Sequence, residues 1–210
     1  MNSLPWEWLG KIAEALEAVD LAGMGEGIET VPAGFVVKGS VFIHRSVSLP
    51  PYGYLEGPAY IGPETEIRPG AYLRGRVIVE GGAVLGNSCE FKNCLLLRGA
   101  QVPHFSYVGD SILGEGAHLG AGAILSNLRF DQKPVVVKSH DGGQWPTGLR
   151  KFGAILGDGA EVGCNAVLQP GTLVGKLGLV APGCTVGGSV KGGTLVYTRR
   201  ELEQVARDLP

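Results

Sequence analysis

The chain has 210 residues, enough for one domain with short terminal elements, and a formal net charge of -2. That balance provides no global field to attract nucleic acid or anionic lipid, so any phosphate site must be a local cluster. Thirty-five glycines scattered through apolar segments argue for many tight corners, and no apolar run approaches the length of a membrane span.

The first 22 residues predict a helix. In LPWEWLGKIAEALEAV, Trp8, Leu9, Ile12, Leu16 and Val19 recur at helical spacing behind Pro5. The same stretch carries acids and no basic leader, which argues against a signal peptide. Cys89, Cys94, Cys164 and Cys184 show no CxxC pairing, so reduced thiols in a cytoplasmic protein are expected.

From Val31 the chain repeats every six residues. Val31, Val37, Ile43, Leu49, Leu55, Ile61, Ile67, Leu73, Val79, Leu85, Phe91 and Leu97 are all large and apolar, and Pro103 takes the next slot. Four residues after most anchors stands a small or β-branched residue, such as Ala59, Thr65, Ala71 or Ala83. One residue after many stands Gly, such as Gly62 or Gly86. A period of six excludes an amphipathic helix. Three hexads make one turn of about 18 residues, so the pattern predicts a parallel β-helix over 28–197, an all-β solenoid with short helices at its ends.

Two interruptions break the rhythm. The anchors run 97, 103, 108, 113, which places two steps of five beside His104 in VPHFSYVGD, where local irregularity can re-aim a side chain. The repeat then stops after Leu125 and resumes at Leu156. The inserted loop, 126–154, carries Arg129, Lys133, Lys138, Arg150 and Lys151 and is expected on the binding face. At the far end, Thr198 and Glu201 form a capping box that predicts a helix over 198–210. Both terminal helices read as caps on the apolar ends of a solenoid.

The string EFKNCLLLRGAQVPHFSYVGDSILGEGAHLGAGAILSNLRFD, continued by TGLRKFGAILGDGAEVGCNAVLQPGTLVG, resembles the hexapeptide-repeat acyltransferases. Within them it is most similar to the acetyltransferase domain of the bifunctional glucosamine-1-phosphate acetyltransferase / N-acetylglucosamine-1-phosphate uridylyltransferase, especially in the archaeal-type sugar-1-phosphate nucleotidylyltransferases. The resemblance covers roughly residues 55–200. Its specific marks are H-x-x-Y-x-G-D, G-A-G and S-N-L-R-x-D in that order. It implies a left-handed coil, although crossover chirality alone would favour the right hand.

Carried over residue by residue, the resemblance implies His104 as general base, with Tyr107 and Lys92 as sugar-phosphate contacts. Arg74, 18 residues before Lys92, is the expected phosphate partner, and Arg68 in IRPGA is the alternative. His118 replaces an Asn that holds the sugar, and Leu128 replaces a Tyr of the bacterial form. Asn127, Lys151, Cys164, Ala181 and Arg199 are implied as contacts of acetyl-CoA, the co-substrate. No Gly-rich nucleotidyl-binding segment precedes the coil, so uridylyltransferase activity is not expected.

The chemistry fits those residue types. An ammonium must lose a proton before its nitrogen attacks a thioester, and a His near neutrality can take it. Direct transfer needs no covalent nucleophile, and Cys164 has no neighbouring His to activate it. The four histidines, His44, His104, His118 and His140, stand 60, 14 and 22 residues apart and show no zinc-like pair, so no metal is expected. Three readings stand side by side: an N-acetyltransferase for an amino-sugar 1-phosphate, a silent coil that binds sugar nucleotides or scaffolds a nucleotidylyltransferase, and an acyltransferase for another amine. A flat coil face offers few concave sites, so a homotrimer with sites between subunits is expected, the inserted loop reaching a neighbour.

Overall fold

The computed structural model describes residues 4–21 and 23–199. It is a three-faced parallel β-helix. The first face stacks eight strands, from Gly34–Lys38 up through Tyr52–Glu56 and Tyr72–Arg74 to Thr185–Val186. The second runs from Val41–Ile43 to Ser189–Val190, and the third from Glu66–Ile67 to Leu195–Val196.

The hexad anchors fill the inside. Leu55, Ile61, Leu73, Val79, Leu85, Phe91, Leu119, Leu125 and Leu168 have no exposed surface, and the small residues Ala59, Ala83, Ala117 and Ala160 pack between them. Val31, by contrast, is exposed, and the coil begins at Gly34. The glycines that follow the anchors are not the corner residues the repeat suggested. Gly62 and Gly86 are absent from the left-handed backbone positions. They are required because the next course presses on them: a Cβ on Gly86 would lie 2.0 Å from the Pro103 carbonyl carbon. Other residues, including Gly70, Ser88 and Asn165, turn the corners with positive φ.

Of the two expected five-residue steps, the one from Val108 to Leu113 is present and the other sits elsewhere. Leu96 and Val102 are buried, while Leu97 and Pro103 lie only partly covered. The five-residue steps are therefore Phe91 to Leu96 and Val108 to Leu113, one course apart. Each runs through a single strand, Glu90–Leu96 and Tyr107–Leu113, that rounds the corner from the first face to the second. One left-handed residue makes each short corner: Asn93 at φ 48° and, stacked above it, Asp110 at φ 48°. Asn and Asp tolerate that conformation better than other side chains.

The terminal helix, Trp8–Glu17, does not cap the coil's end. It lies across the outside of the second face, burying Trp6, Leu9, Ile12 and Leu16 and leaving Trp8 and Val19 exposed. The surface beneath it is an apolar ladder: Phe42, Tyr60, Ile78, Leu95, Ile112, Ile155 and Leu173 stand in register, one per course. The inserted loop covers the upper part of the same ladder. Its hairpin, Val136–Lys138 with Gln144–Pro146, brings Val135, Val137 and Phe152 into complete burial. The apolar residues of the loop thus fold on its own coil, because they meet an apolar face of the same chain. Its first residues protrude, and Phe130 among them is fully exposed. Glu201 and the rest of the predicted C-terminal helix beyond Arg199 lie outside the described residues. Thr198, at the expected start of that helix, donates to the Cys184 Sγ at 3.4 Å.

Candidate functional site

One outward column of the first face is polar. Lys38, Glu56 and Arg74 stand in register one above another, Lys92 continues the column, and Gly109 follows Lys92. Arg74 and Lys92 therefore share one face one course apart. Arg68 lies on the third face, held by Glu66 at 2.9 Å and 3.2 Å. Both first-face cations already have carboxylate partners. Arg74 Nε donates to Glu90 at 2.5 Å, and Lys92 Nζ to Asp110 at 3.2 Å. The Glu90 hydrogen bond raises the Arg74 pKa, so its charge is fixed.

Tyr107, Asn127 and Asp110 complete the cluster. Asn127 Nδ2 donates to the Tyr107 hydroxyl at 3.0 Å and to Asp110 Oδ2 at 2.6 Å, and Asn93 Nδ2 donates to Asp110 Oδ1 at 2.9 Å. Burial, reinforced by the charges of Asp110 and Glu90, pushes the Tyr107 phenol up, so it stays a proton donor at neutral pH. Gly109 makes this arrangement possible: a Cβ there would lie 2.3 Å from the Tyr107 oxygen and 2.8 Å from Asn127 Nδ2. Asp110 was legible only as a letter of the H-x-x-Y-x-G-D string. It stands 18 residues after Lys92, the spacing that pairs Arg74 with Lys92, but the short course moves it to the corner.

His104 ends the strand Gln101–His104 on the third face, directly before the corner residue Phe105 at φ 51°. It is exposed, and its ring centre lies 6.0 Å from that of Phe105. Its carbonyl accepts from Ser106 Oγ at 2.9 Å and from the Gly122 amide at 3.1 Å, which pins the backbone. Among the described residues its imidazole has no hydrogen-bond partner. The ring is thus free for a ligand, at the edge between the face with Tyr107 and the face with His118.

The expected coenzyme residues fall into two groups. Asn127 and Lys151 meet at the two ends of the insertion, where Leu128 bridges Lys151 and Phe152 N donates to the Asn127 carbonyl at 2.9 Å. Beside them the protruding residues 128–131 wall a crevice of about 590 Å³ on the first face, with Val167, Gln169 and Thr185 as its floor. Cys164 and Ala181 lie instead on the third face, in a groove of about 450 Å³ that also takes His118 and Leu195. His118 is stacked in register between Gln101 and Glu161 and does not join the Tyr107 cluster. Arg199 is exposed beyond the last strand of that face. Burial pushes the Cys94 thiol far up and Cys89 up as well, which removes both as nucleophiles. Among the described residues, no three of His, Cys, Asp and Glu are grouped to hold a metal, and no helix is long and apolar enough to cross a membrane.

This geometry sits on a sequence with informative relatives. Residues 55–142 match the family described as the GMPPB C-terminal domain. The bifunctional protein GlmU of Methanocaldococcus jannaschii is 33% identical over 198 residues, which is 94% of this chain and 47% of that protein. The bifunctional sugar-1-phosphate nucleotidylyltransferase/acetyltransferase of Sulfurisphaera tokodaii is 36% identical over 176 residues, 84% of this chain and 44% of that one. The chain resembles the hexapeptide-repeat acyltransferases of the type of the GlmU C-terminal domain. The left hand implied by the resemblance is that of this family. The chain spans about half the length of the curated relatives it matches. Among solved structures, PerB from Caulobacter crescentus in complex with CoA and GDP-perosamine overlays 74% of this chain and 52% of its own, at 18% identity and a TM-score of 0.35. That score is too low for a conclusion to rest on it.

Proposed function

We propose that the chain transfers an acetyl group from acetyl-CoA to the amine of an amino-sugar 1-phosphate. The observation that carries this reading is the first-face cluster of Arg74, Lys92, Tyr107 and Asn127 beside the free imidazole of His104. The two cations and the phenol suit a sugar phosphate. The phosphate would displace the Glu90 and Asp110 contacts in part, which makes binding an exchange of partners. His104 takes a proton from the acceptor's ammonium, and the freed nitrogen attacks the thioester carbon. The tetrahedral oxyanion collapses as the carbon–sulfur bond breaks; the nitrogen gives its surplus proton to the departing CoA thiolate, and His104 releases its own to solvent. Backbone N–H groups near the corner are the candidate donors to that oxyanion.

The coenzyme residues support a homotrimer. Asn127 and Lys151 lie on one face and Cys164, Ala181 and His118 on another, so one coenzyme touches both groups most directly between the first face of one subunit and the third face of the next. Threefold cyclic closure permits that contact. Light scattering should then give about three chain masses. His104 and Asn127 lie at the two edges of the first face of a single subunit, so the informative mixture is Asn127→Ala with Ala181→Arg. A site shared between faces regains part of its activity in mixed trimers, and a site confined to one chain does not. The four free cysteines, three of them buried, support placement in the cytoplasm.

The function is tested by incubating the chain with acetyl-CoA and glucosamine 1-phosphate and following thiol release. Release that depends on the sugar phosphate supports the proposal. Binding of either compound without release favours the silent coil, and release only with a different amine favours another acceptor.

A further inference from the structure

Asp110 is nearly buried, with 6% of its side chain exposed, at a corner that the chain reaches only through a left-handed residue. Its carboxylate takes three side-chain donors: Asn127 Nδ2 at 2.6 Å, Asn93 Nδ2 at 2.9 Å and Lys92 Nζ at 3.2 Å. Its main-chain carbonyl takes a fourth, the Gly153 amide at 2.8 Å, where the insertion returns to the coil. An ionised carboxylate accepts and cannot donate. The group of Asn127 that faces it must therefore be the NH2 and not the carbonyl. The same nitrogen donates its other proton to Tyr107 Oη at 3.0 Å. Both amide protons of Asn127 are then used, and among the described residues no donor meets its Oδ1. Tyr107 Oη accepts from Asn127, so its own proton is directed elsewhere.

We infer that Asp110 is a positioning residue that sets the direction of hydrogen bonding across the acceptor site, so that Asn127 offers a carbonyl oxygen and Tyr107 a hydroxyl proton to whatever binds there. This rests on reading the first face as the acceptor site, with Asn127 where the acceptor's amine and acetyl-CoA meet. An oxygen acceptor beside a hydroxyl donor matches a ligand that brings an N–H and an anionic or hydroxyl oxygen side by side, as an amino-sugar phosphate does. With the Asn127 amide reversed, its NH2 would face the ligand's own N–H.

The inference is tested with Asp110→Gly, which removes the carboxylate yet tolerates the left-handed corner. Asp110→Asn serves where that variant melts too low to assay, since Asn keeps the shape and the corner preference. The first readout is independent of turnover. The Asn127 side-chain amide protons, assigned by their disappearance in Asn127→Ala, exchange slowly with water in the parent and at least about tenfold faster once the carboxylate is gone. The second is a double-variant cycle in kcat for acetyl transfer to glucosamine 1-phosphate. Asp110→Gly lowers kcat by about tenfold or more, and adding it to Asn127→Ala costs no more than about a further twofold. Unchanged amide exchange, or losses that multiply in the double variant, overturns the positioning role. If the parent transfers no acetyl group at all, the proposed function fails while the exchange readout still decides the role of Asp110.

Discussion

The first and second faces of this coil are built from the same hexads and present opposite surfaces. Outward positions of the second face carry an apolar side chain in seven successive courses, from Phe42 to Leu173, and the chain covers them with its own helix and insertion. One outward column of the first face carries Lys38, Glu56, Arg74 and Lys92 beside a second of Val36, Tyr54, Tyr72, Glu90 and Tyr107, and none of these joins the apolar cluster under the helix and the insertion. The inward residues make the coil, whereas the outward residues decide what each face meets. An apolar ladder is worth about 25 cal/mol for each Å² withdrawn from water, so the chain gains by folding its spare segments onto that face. A charged ladder gains nothing from such cover and is left to ligands.

That contrast predicts that activity and stability separate by face. The largest effect belongs to His104. His104→Ala should lower acetyl transfer by about 10²–10⁴-fold while the thermal melt stays within a few degrees of the parent. A variant with near-full turnover would show that His104 is not the base. On the covered face, Phe152→Ala should cost about 3–5 kcal/mol in denaturant unfolding, since that ring has no exposed surface. At temperatures where the variant is folded, its kcat should hold within a few-fold. A kcat loss as large as that of His104→Ala would mean that the covering segment takes part in the chemistry.

Smaller effects sharpen the same division. Arg74→Ala and Lys92→Ala should each raise KM for glucosamine 1-phosphate by about tenfold or more and leave KM for acetyl-CoA within about twofold. Equal effects on both substrates would remove the phosphate assignment. The corresponding Arg68→Ala change should leave both KM values within about twofold, because that guanidinium lies on the third face, outside the Arg74–Lys92 column. The smallest effect lies inside the coil. Among the described residues, Thr65 Oγ1 is the buried side-chain atom with no hydrogen-bond partner. Thr65→Val removes that unsatisfied group at nearly constant volume and should raise stability by about 1 kcal/mol. A marked loss of stability would mean that the hydroxyl has a partner after all.

Much of the inside of this molecule was legible, because a six-residue period constrains every inward position. The exception is CLLLR, where three consecutive leucines satisfy two registers. The reading that took Leu97 and Pro103 as core displaced two anchors by one residue and so moved the first short step from Phe91–Leu96 to Pro103–Val108, whereas Leu96 and Val102 fill the core. The outside was less legible. Period-six counting ignores outward residues, so the ladder that binds the helix was invisible, and the helix read as an end cap. The candidate site was legible where residues share a column, as Arg74 and Lys92 do. It was not legible where a short corner moves a residue out of its column, as with Asp110. Nor could spacing alone reveal that Asn127 and Cys164 lie on different faces, since the insertion between them hides the register.

The measurement that bears most directly on the account is mass spectrometry of glucosamine 1-phosphate after incubation with acetyl-CoA and the parent chain, with His104→Ala alongside. The account predicts a product acetylated on nitrogen, formed by the parent and reduced by at least about a hundredfold in the variant. A parent chain that binds both compounds and forms no acetylated product, or a variant that forms it at the parent's rate, would contradict it.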